Sequence, residues 1–479
     1  MSVSKARKTV ATKSAKKISN RNGGDVVPAF ESKSIMKTEK ISVPTHSTFT
    51  LPNGLKVILV PRRRLPLFQA VLMIKAGALH DPQGLAGCTN FTGAVLDSGA
   101  EWKEKKLTKL EIAEAIDSIG GMLSVSVNHA RVSIATGGLT KYSDKLLDLL
   151  TAISRYPLFP NDELERERQQ LLADLIAKRD QPGTIAEDAL LRRIYSHHQM
   201  GVPADGTAES VSQISREDIL RQWKLIGQPN IATFGIAGDF DSKQMKDEII
   251  ARFGDWTSET GIPAIEEPAP LGDTAEIVLV EKAGANQASI QMGHHGIPRT
   301  NPDYYALAAV EQILFNGMSS RFFKTIRAER GLTYSIHGNF EMGKYAGPLV
   351  IGTSTMKERT GYMISSIFEV IEKFLANGPT TKELVDAQMY LTGSYPLRFD
   401  TSSSVLSGLL SLDWVGLPAT AISEYRQRIA SLTKQDILFA VRKHLHPEKM
   451  RIAIVGEVST IEPQLQEIGR RISVVKLSA

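Results

Sequence analysis

The chain of 479 residues carries 57 basic and 52 acidic side chains for a formal charge of +5, with 42% hydrophobic and 23% charged residues. That is the balance of a soluble globular protein of two or more domains, and no apolar run reaches the ~18–20 residues of a membrane span, which excludes a transmembrane protein. Seven basic residues (Lys5, Arg7, Lys8, Lys13, Lys16, Lys17 and Arg21) fall in the first 24, where there is no acid. The rest is therefore close to neutral and lacks the basic footprint of a nucleic-acid-binding domain.

Taken in chain order, residues 1–45 read as a disordered basic tail. Their Ser, Thr, Ala, Lys and Arg also suit an organellar transit peptide, but no large apolar residues make one helical face greasy. From Leu51 the sequence LPNGLKVILVPRRRLPLFQAVLMIKAGALHDPQGLAG gives two strands, then a turn-rich stretch and a helical segment. Within it Arg62, Arg63 and Arg64 are a solvated strand end. The lone cysteine, Cys88, excludes an internal disulfide and reads as a small buried apolar residue. Helical spacing runs over 141–154 and 161–178, and Ser215 with Asp218 three residues on forms a capping box. A terminal strand follows in NIATFGIAGDFD, 230–241. The stretch 261–274, GIPAIEEPAPLGDT, concentrates proline and acid as a linker does.

After the linker the pattern repeats. EIVLVEKAGANQASIQMGHHGIPRTNPDYYALAAVEQILFNG gives two strands, a Pro/Asn/Asp-rich turn and a helix, and MRIAIVGEVST at 450–460 is a second terminal strand. A period of about 220 residues means tandem homologous domains rather than a solenoid. The expected fold is α+β, with domains at 46–260 and 275–479, each an antiparallel-rich sheet covered on one face by helices. The adjacent pairs His197-His198 and His294-His295 cannot chelate as units in a strand, because neighbours point to opposite faces. They read as loop or sheet-surface histidines.

Several stretches, in order, carry a family resemblance: LPNGLKVILVP, FPNDELERERQQLLADL at 159–175, GVPADGTAESVSQISREDI at 201–219, GIPRTNPDYYALAAVEQIL, and SSRFFKTIRAERGLTYS at 319–335. Over residues 46–479 the chain resembles the pitrilysin and insulinase-type zinc peptidases, in particular the mitochondrial processing peptidase and its bacterial relatives. That resemblance implies a His-x-x-Glu-His helix, in which two imidazoles hold zinc and the glutamate acts on its water. GLAGCTNFTGAVLDSGA at 84–100 has no such motif. Aligned from Gly84 and Ala86, the motif positions fall on Gly87, Asn90 and Phe91; aligned back from Gly99, on Asn90, Gly93 and Ala94. The family's downstream glutamate ligand maps from Glu167 onto Asp174, which reads as a solvated helix-face charge. The chain is expected to hold no metal and no cofactor of its own.

The second half keeps the family's Arg-x-x-x-Gly-Leu-x-Tyr pattern in Arg327, Gly331, Leu332 and Tyr334. The resemblance implies that Arg327 and Tyr334 reach toward a substrate bound at zinc: the guanidinium fork to a carbonyl or carboxylate, the phenol to an oxyanion. Read only as structure, the same two residues would be a helix-end salt bridge and a core tyrosine. Ser320 and Arg321 read as helix-start and packing residues. The expectation is a non-catalytic, substrate-binding subunit of a heterodimeric zinc metallopeptidase that acts on peptides or unfolded segments, with zinc in a homologous partner. Such a chain would be inactive alone. The alternatives are an inert assembly protein of the same fold, or the substrate-recognition subunit of an organellar processing peptidase. That last type carries a glycine-rich loop where this chain has FNGMSSR, so the expected location is the bacterial cytoplasm, with the mitochondrial matrix as the alternative.

Overall fold

The structure is a computed structural model and describes residues 42–196, 198–258, 261–269 and 275–476. Most of the expected N-terminal tail, the last residues of the linker, and His197 lie outside it.

The strands of the first half are β1 (Ser47–Thr50), β2 (Lys56–Pro61), β3 (Leu67–Ile74), the hairpin β4 (Gly99–Trp102) and β5 (Lys105–Thr108), then β6 (Met122–Val127), β7 (Val132–Leu139) and β8 (Ala232–Gly238). Those of the second are β9 (Glu276–Glu281), β10 (Gln287–His295), β11 (Ile336–Met342), β12 (Ala346–Met356), β13 (Arg451–Gly456) and β14 (Arg471–Lys476). Outside the hairpin they form two six-stranded sheets, ordered β1-β2-β8-β3-β7-β6 and β11-β12-β10-β13-β9-β14. Read from β2 and from β9, five strands follow one plan: β2-β8-β3-β7-β6 against β9-β13-β10-β12-β11. The repeat seen in the sequence is thus a repeat of topology. The strands read at the end of each half, β8 and β13, lie inside their sheets, and β13 is followed by one more strand, β14, not expected from the sequence. β8 runs parallel to β2 and antiparallel to β3, and β13 parallel to β9 and antiparallel to β10, so both sheets are mixed.

The helices are α1 (Cys88–Ala94), α2 (Lys109–Asp117), α3 (Ser143–Arg155), α4 (Asn161–Lys178), α5 (Pro182–Ile194), α6 (Ala208–Gln213), α7 (Arg216–Ile226) and α8 (Ser242–Phe253), then α9 (Tyr304–Leu314), α10 (Thr360–Asn377), α11 (Thr381–Ser394), α12 (Ser402–Val415), α13 (Ala421–Ala430), α14 (Lys434–His444) and α15 (Val458–Leu465). The helix read at 161–178 is α4, and the Ser215/Asp218 box caps α7, the Ser215 hydroxyl accepting from the Asp218 N–H.

One face of the first sheet, through Val57, Leu59, Leu72, Phe234 and Ile236, packs on helices of its own half with Phe91, Leu146, Leu150 and Trp223. The second sheet does the same through Ile277, Leu279, Ile452 and Ile454. Beyond the expected layer, the opposite faces are covered too, by an exchange of helices. Ile58, Val60, Met73 and Ala237 of the first sheet pack with Leu406, Leu409 and Leu410 of α12 from the second half. Val278, Val280, Ala453 and Val455 of the second sheet pack with Ala186, Leu190 and Ile194 of α5 from the first. Burial on both faces explains why β2, β8, β9 and β13 are continuous apolar runs instead of alternating ones. The α12 contact has a polar latch: the Asp413 carboxylate, with its side chain 7% exposed, takes Lys56, Lys75 and the Thr233 hydroxyl. Burial raises this carboxyl, but the hydrogen bonds from the two lysines and the threonine outweigh it and hold it below its usual range.

Candidate substrate-facing site and the altered motif segment

Gly87 opens α1 as its N-cap in the left-handed region, φ 89°. The Asp81 carboxylate fixes that entrance, accepting from the N–H groups of Gly87 (2.7 Å) and Thr89 (2.8 Å) and from the Thr89 hydroxyl (2.6 Å). Burial lifts the Asp81 carboxyl to about 6 in spite of these donors. Cys88 is fully buried and its thiol is pushed up to about 12, first by burial and then by the charges of Asp81 and Asp218. It is a packing residue, not a nucleophile.

Of the positions where the zinc motif would stand, Phe91 is fully buried and Asn90 half-buried. The Arg168 guanidinium from α4 lies over the Phe91 ring, 5.1 Å from its centroid, and donates to the carbonyls of Val211 and Ile214 and to Glu165. A phenyl ring and a cation without acceptors therefore occupy the space between α1 and α4. A metal needs several oxygen, nitrogen or sulfur donors converging on one point. Asp174, two helical turns further on, is exposed and accepts from Gln170 (2.9 Å), while Glu167 pairs with Lys109 (3.6 Å). Among the described residues no three His, Cys, Asp or Glu converge. Asp174 is the solvated helix-face charge expected of it; the residue α4 turns to the ring is Arg168, hidden in a run where nearly every position is charged or amide.

The histidines divide as strand geometry requires, but His294 is no surface residue: it is 3% exposed. Its Nδ1 lies 2.7 Å from the His295 carbonyl and its Nε2 accepts from the His446 N–H (3.1 Å). Burial lowers it to about 4. His295 and His198 contact the linker, at the carbonyls of Pro268 (2.7 Å) and Glu266 (3.1 Å).

Arg327 and Tyr334 sit on a segment built to present them. Ser320 is buried and its hydroxyl accepts from the Phe323 N–H; Arg321 grips Glu383 with two bonds of 2.8 Å and the Gly378 carbonyl with a third. Burial raises the Glu383 carboxyl, yet these donors bring it down to about 2. From this anchor residues Phe323–Glu329 run as a π-helix, a wide turn often found at functional sites. Gly331, φ 58°, reverses the chain in a conformation that favours glycine. Leu332 then plugs into the core, its N–H on the Ile326 carbonyl and its own carbonyl taking the Thr355 hydroxyl (2.8 Å). Thr353 pins Ser335 on the other side (2.9 Å). Between these two fixed points Tyr334 stands 88% exposed. Arg327 is exposed too, with its guanidinium over the Phe323 ring at 4.7 Å and no ion pair to a described carboxylate. Neither residue is the salt bridge or core aromatic that a purely structural reading gives. Just beyond them runs β11, which pairs only with β12 among the described residues and leaves an open sheet edge.

Residues 63–208 match the family model described as insulinase, peptidase family M16, and residues 213–391 match the one described as the peptidase M16 inactive domain. This chain belongs to the M16 peptidase family. Its fold is that of a peptidase M16 inactive domain from Pseudomonas fluorescens, with a TM-score of 0.81 and 26% identity over 86% of this chain and 98% of that one. A protease from Helicobacter pylori has the same M16 fold, with a TM-score of 0.79 and 18% identity over 87% of this chain and 100% of that one. Among curated proteins the chain is 24% identical over 408 residues to a non-peptidase homolog, YmxG, of Helicobacter pylori, covering 84% of this chain and 91% of that protein. It is also 23% identical over 359 residues to an uncharacterized zinc protease, YmxG, of Bacillus subtilis, covering 75% and 86%.

Proposed function

We infer that this M16 protein is the catalytically silent, substrate-binding subunit of a two-chain zinc metallopeptidase of the processing-peptidase type. It holds no zinc itself; a homologous partner with an intact His-x-x-Glu-His helix supplies metal, water and general base. Arg327 and Tyr334 complete that partner's site, the guanidinium fork orienting a substrate carbonyl or carboxylate and the phenol donating to the oxyanion as the scissile carbonyl becomes tetrahedral. The substrate is an extended peptide, which an open sheet edge can bind by strand addition. The observation that carries this reading is the contrast between two segments of one chain. The motif segment is filled by Phe91 and Arg168, whereas Arg327 and Tyr334 are held in solvent by an anchored turn. An inert assembly protein would not need to expose both.

The test is reconstitution with the zinc-bearing M16 chain that co-purifies from the native source. Alone, this chain should leave unstructured peptides intact; mixed, it should raise the partner's turnover. Tyr334→Phe should then lower turnover by about 10²–10³ at unchanged thermal stability, since one oxyanion donor is lost with little volume. Arg327→Lys should weaken peptide binding as well. Reconstituted activity within about twofold of wild type for Tyr334→Phe would hand the case to the assembly reading.

A further inference from the structure

A pocket of about 360 Å³ opens where the turn from α4 into α5 and the loop before α6 meet strands β9 and β14. That volume falls in the ~300–1,000 Å³ range of small-molecule sites. One part of its lining is aliphatic: Leu175 of α4, Ile185 of α5, Val278 and Val280 of β9 and Val475 of β14. The rest is polar, and most of it is already engaged. Lys178 pairs with Asp205, Arg193 lies 3.7 Å from Glu276, the Thr184 hydroxyl donates to Gln181 (3.4 Å), and Thr207 caps α6. Three lining groups are left over: Asp188, Arg179 and Arg192. Among the described residues the side chains of these three make no hydrogen bond and no ion pair.

Asp188 is half-buried on α5, one helical turn before the exposed Arg192. Burial first, then the charge of Asp205, raises its carboxyl to about 6; Arg192 and Lys178 pull it down, and Glu187 adds a further push upward. The fold therefore keeps a carboxyl partly out of water without giving it a cation, beside two guanidinium groups that no carboxylate takes. A wholly anionic ligand would meet Asp188 and Asp205, and a wholly cationic one Arg179 and Arg192. A small zwitterion suits both signs. Its ammonium goes to Asp188, its carboxylate to an arginine fork, and an aliphatic side chain lies against the valines.

We propose that this pocket binds a free amino acid or dipeptide with an aliphatic side chain. The site is separate from Arg327 and Tyr334 and stands whether or not those residues face a peptidase partner. Because α5 comes from the first half and β9 and β14 from the second, the ligand touches both halves, and its binding should raise the melting temperature. The test is calorimetric titration of the full chain at pH 8 with L-leucine and with L-leucyl-L-leucine. At least one should bind saturably at one site per chain. The N-acetylated form of that ligand, which lacks the cation, and its C-terminal amide, which lacks the anion, should each bind about tenfold more weakly or worse. Asp188→Asn and Arg192→Gln should each cost the same about tenfold or more. Asp188→Asn should fold as well as wild type, since it removes a charge that the fold leaves unpaired. At pH 5, where Asp188 is largely protonated, wild type should bind more weakly, and Asp188→Asn should lose this dependence. No saturable binding of either ligand, or an affinity unmoved by Asp188→Asn and by blocking the amine, would overturn the proposal.

Discussion

Glu311 shows what a single side chain can do to the stability of the edge strand β11. It sits on α9 and its carboxylate accepts the Phe340 N–H of the edge strand β11. Burial raises its carboxyl to about 7, against the one N–H that pulls the other way. The folded chain therefore binds this proton more tightly than the unfolded one, whose glutamate titrates near 4.5. Between these two values the native state carries more protons than the unfolded state, so this group's contribution to stability falls as pH rises and is lowest above about 7. The penalty is at most roughly 3 kcal/mol. Glu311→Gln keeps an amide oxygen for the Phe340 N–H and removes the charge. We expect it to raise the melting temperature at pH 8 and to flatten the fall between pH 5 and pH 8. A variant that melts below wild type at pH 8 would show that the carboxylate is stabilising there. The family resemblance singled out Arg327 and Tyr334, but their outward orientation was not legible in the sequence. It depends on Gly331, on buried Leu332 and on Thr353 and Thr355, the last two being packing partners no local pattern names.

At the scale of elements, α1 explains why the lost motif is more than three changed letters. A Cβ at Gly87 would meet the Asp205 carbonyl oxygen at 2.6 Å, and the left-handed backbone there is strained for any other residue. At Gly93 it would meet Val127 at 2.5 Å. Arg168 holds its guanidinium over the Phe91 ring, against the face such a graft would change. Grafting the motif as Gly87→His, Asn90→Glu and Phe91→His should thus produce no stoichiometric zinc by elemental analysis after dialysis, and should lower stability by about 3 kcal/mol or more, since a buried phenyl is replaced and the N-cap is strained. One tightly held zinc per chain at an unchanged melting temperature would be the contrary result. The helices were readable where apolar spacing ran on, as in α4, or where a capping box marked the start, as in α7. The order of strands in each sheet was not, because β8 and β13 lie late in their halves and reach the centre only through pairing with strands far away in sequence. Nor could periodicity say that a continuous apolar strand has a second helix layer, supplied from the other half.

For the whole molecule, that exchange makes the halves mutually dependent. The first sheet lacks the cover of Leu406, Leu409 and Leu410 without α12, and the second lacks Ala186, Leu190 and Ile194 without α5. At Gly235 the strand approaches α12 so closely that a Cβ would stand 2.6 Å from Leu406. Residues 46–260 and 275–479 made as separate chains should each be poorly soluble, with diffuse thermal transitions, whereas the intact chain should unfold in one cooperative transition in which both halves melt together. Two well-separated transitions in the intact chain, or a half that melts sharply alone, would rule this out.

The exchange also sets a clock for synthesis. The first sheet has all its strands once Gly238 has emerged from the ribosome, yet α12 ends at Val415, roughly 180 residues later. At about 5–20 residues per second, the nascent chain spends on the order of 10–40 s with one greasy sheet face bare and α5 waiting for a sheet that does not yet exist. For that interval a bare apolar face is open to aggregation, the hazard that holding chaperones exist to counter.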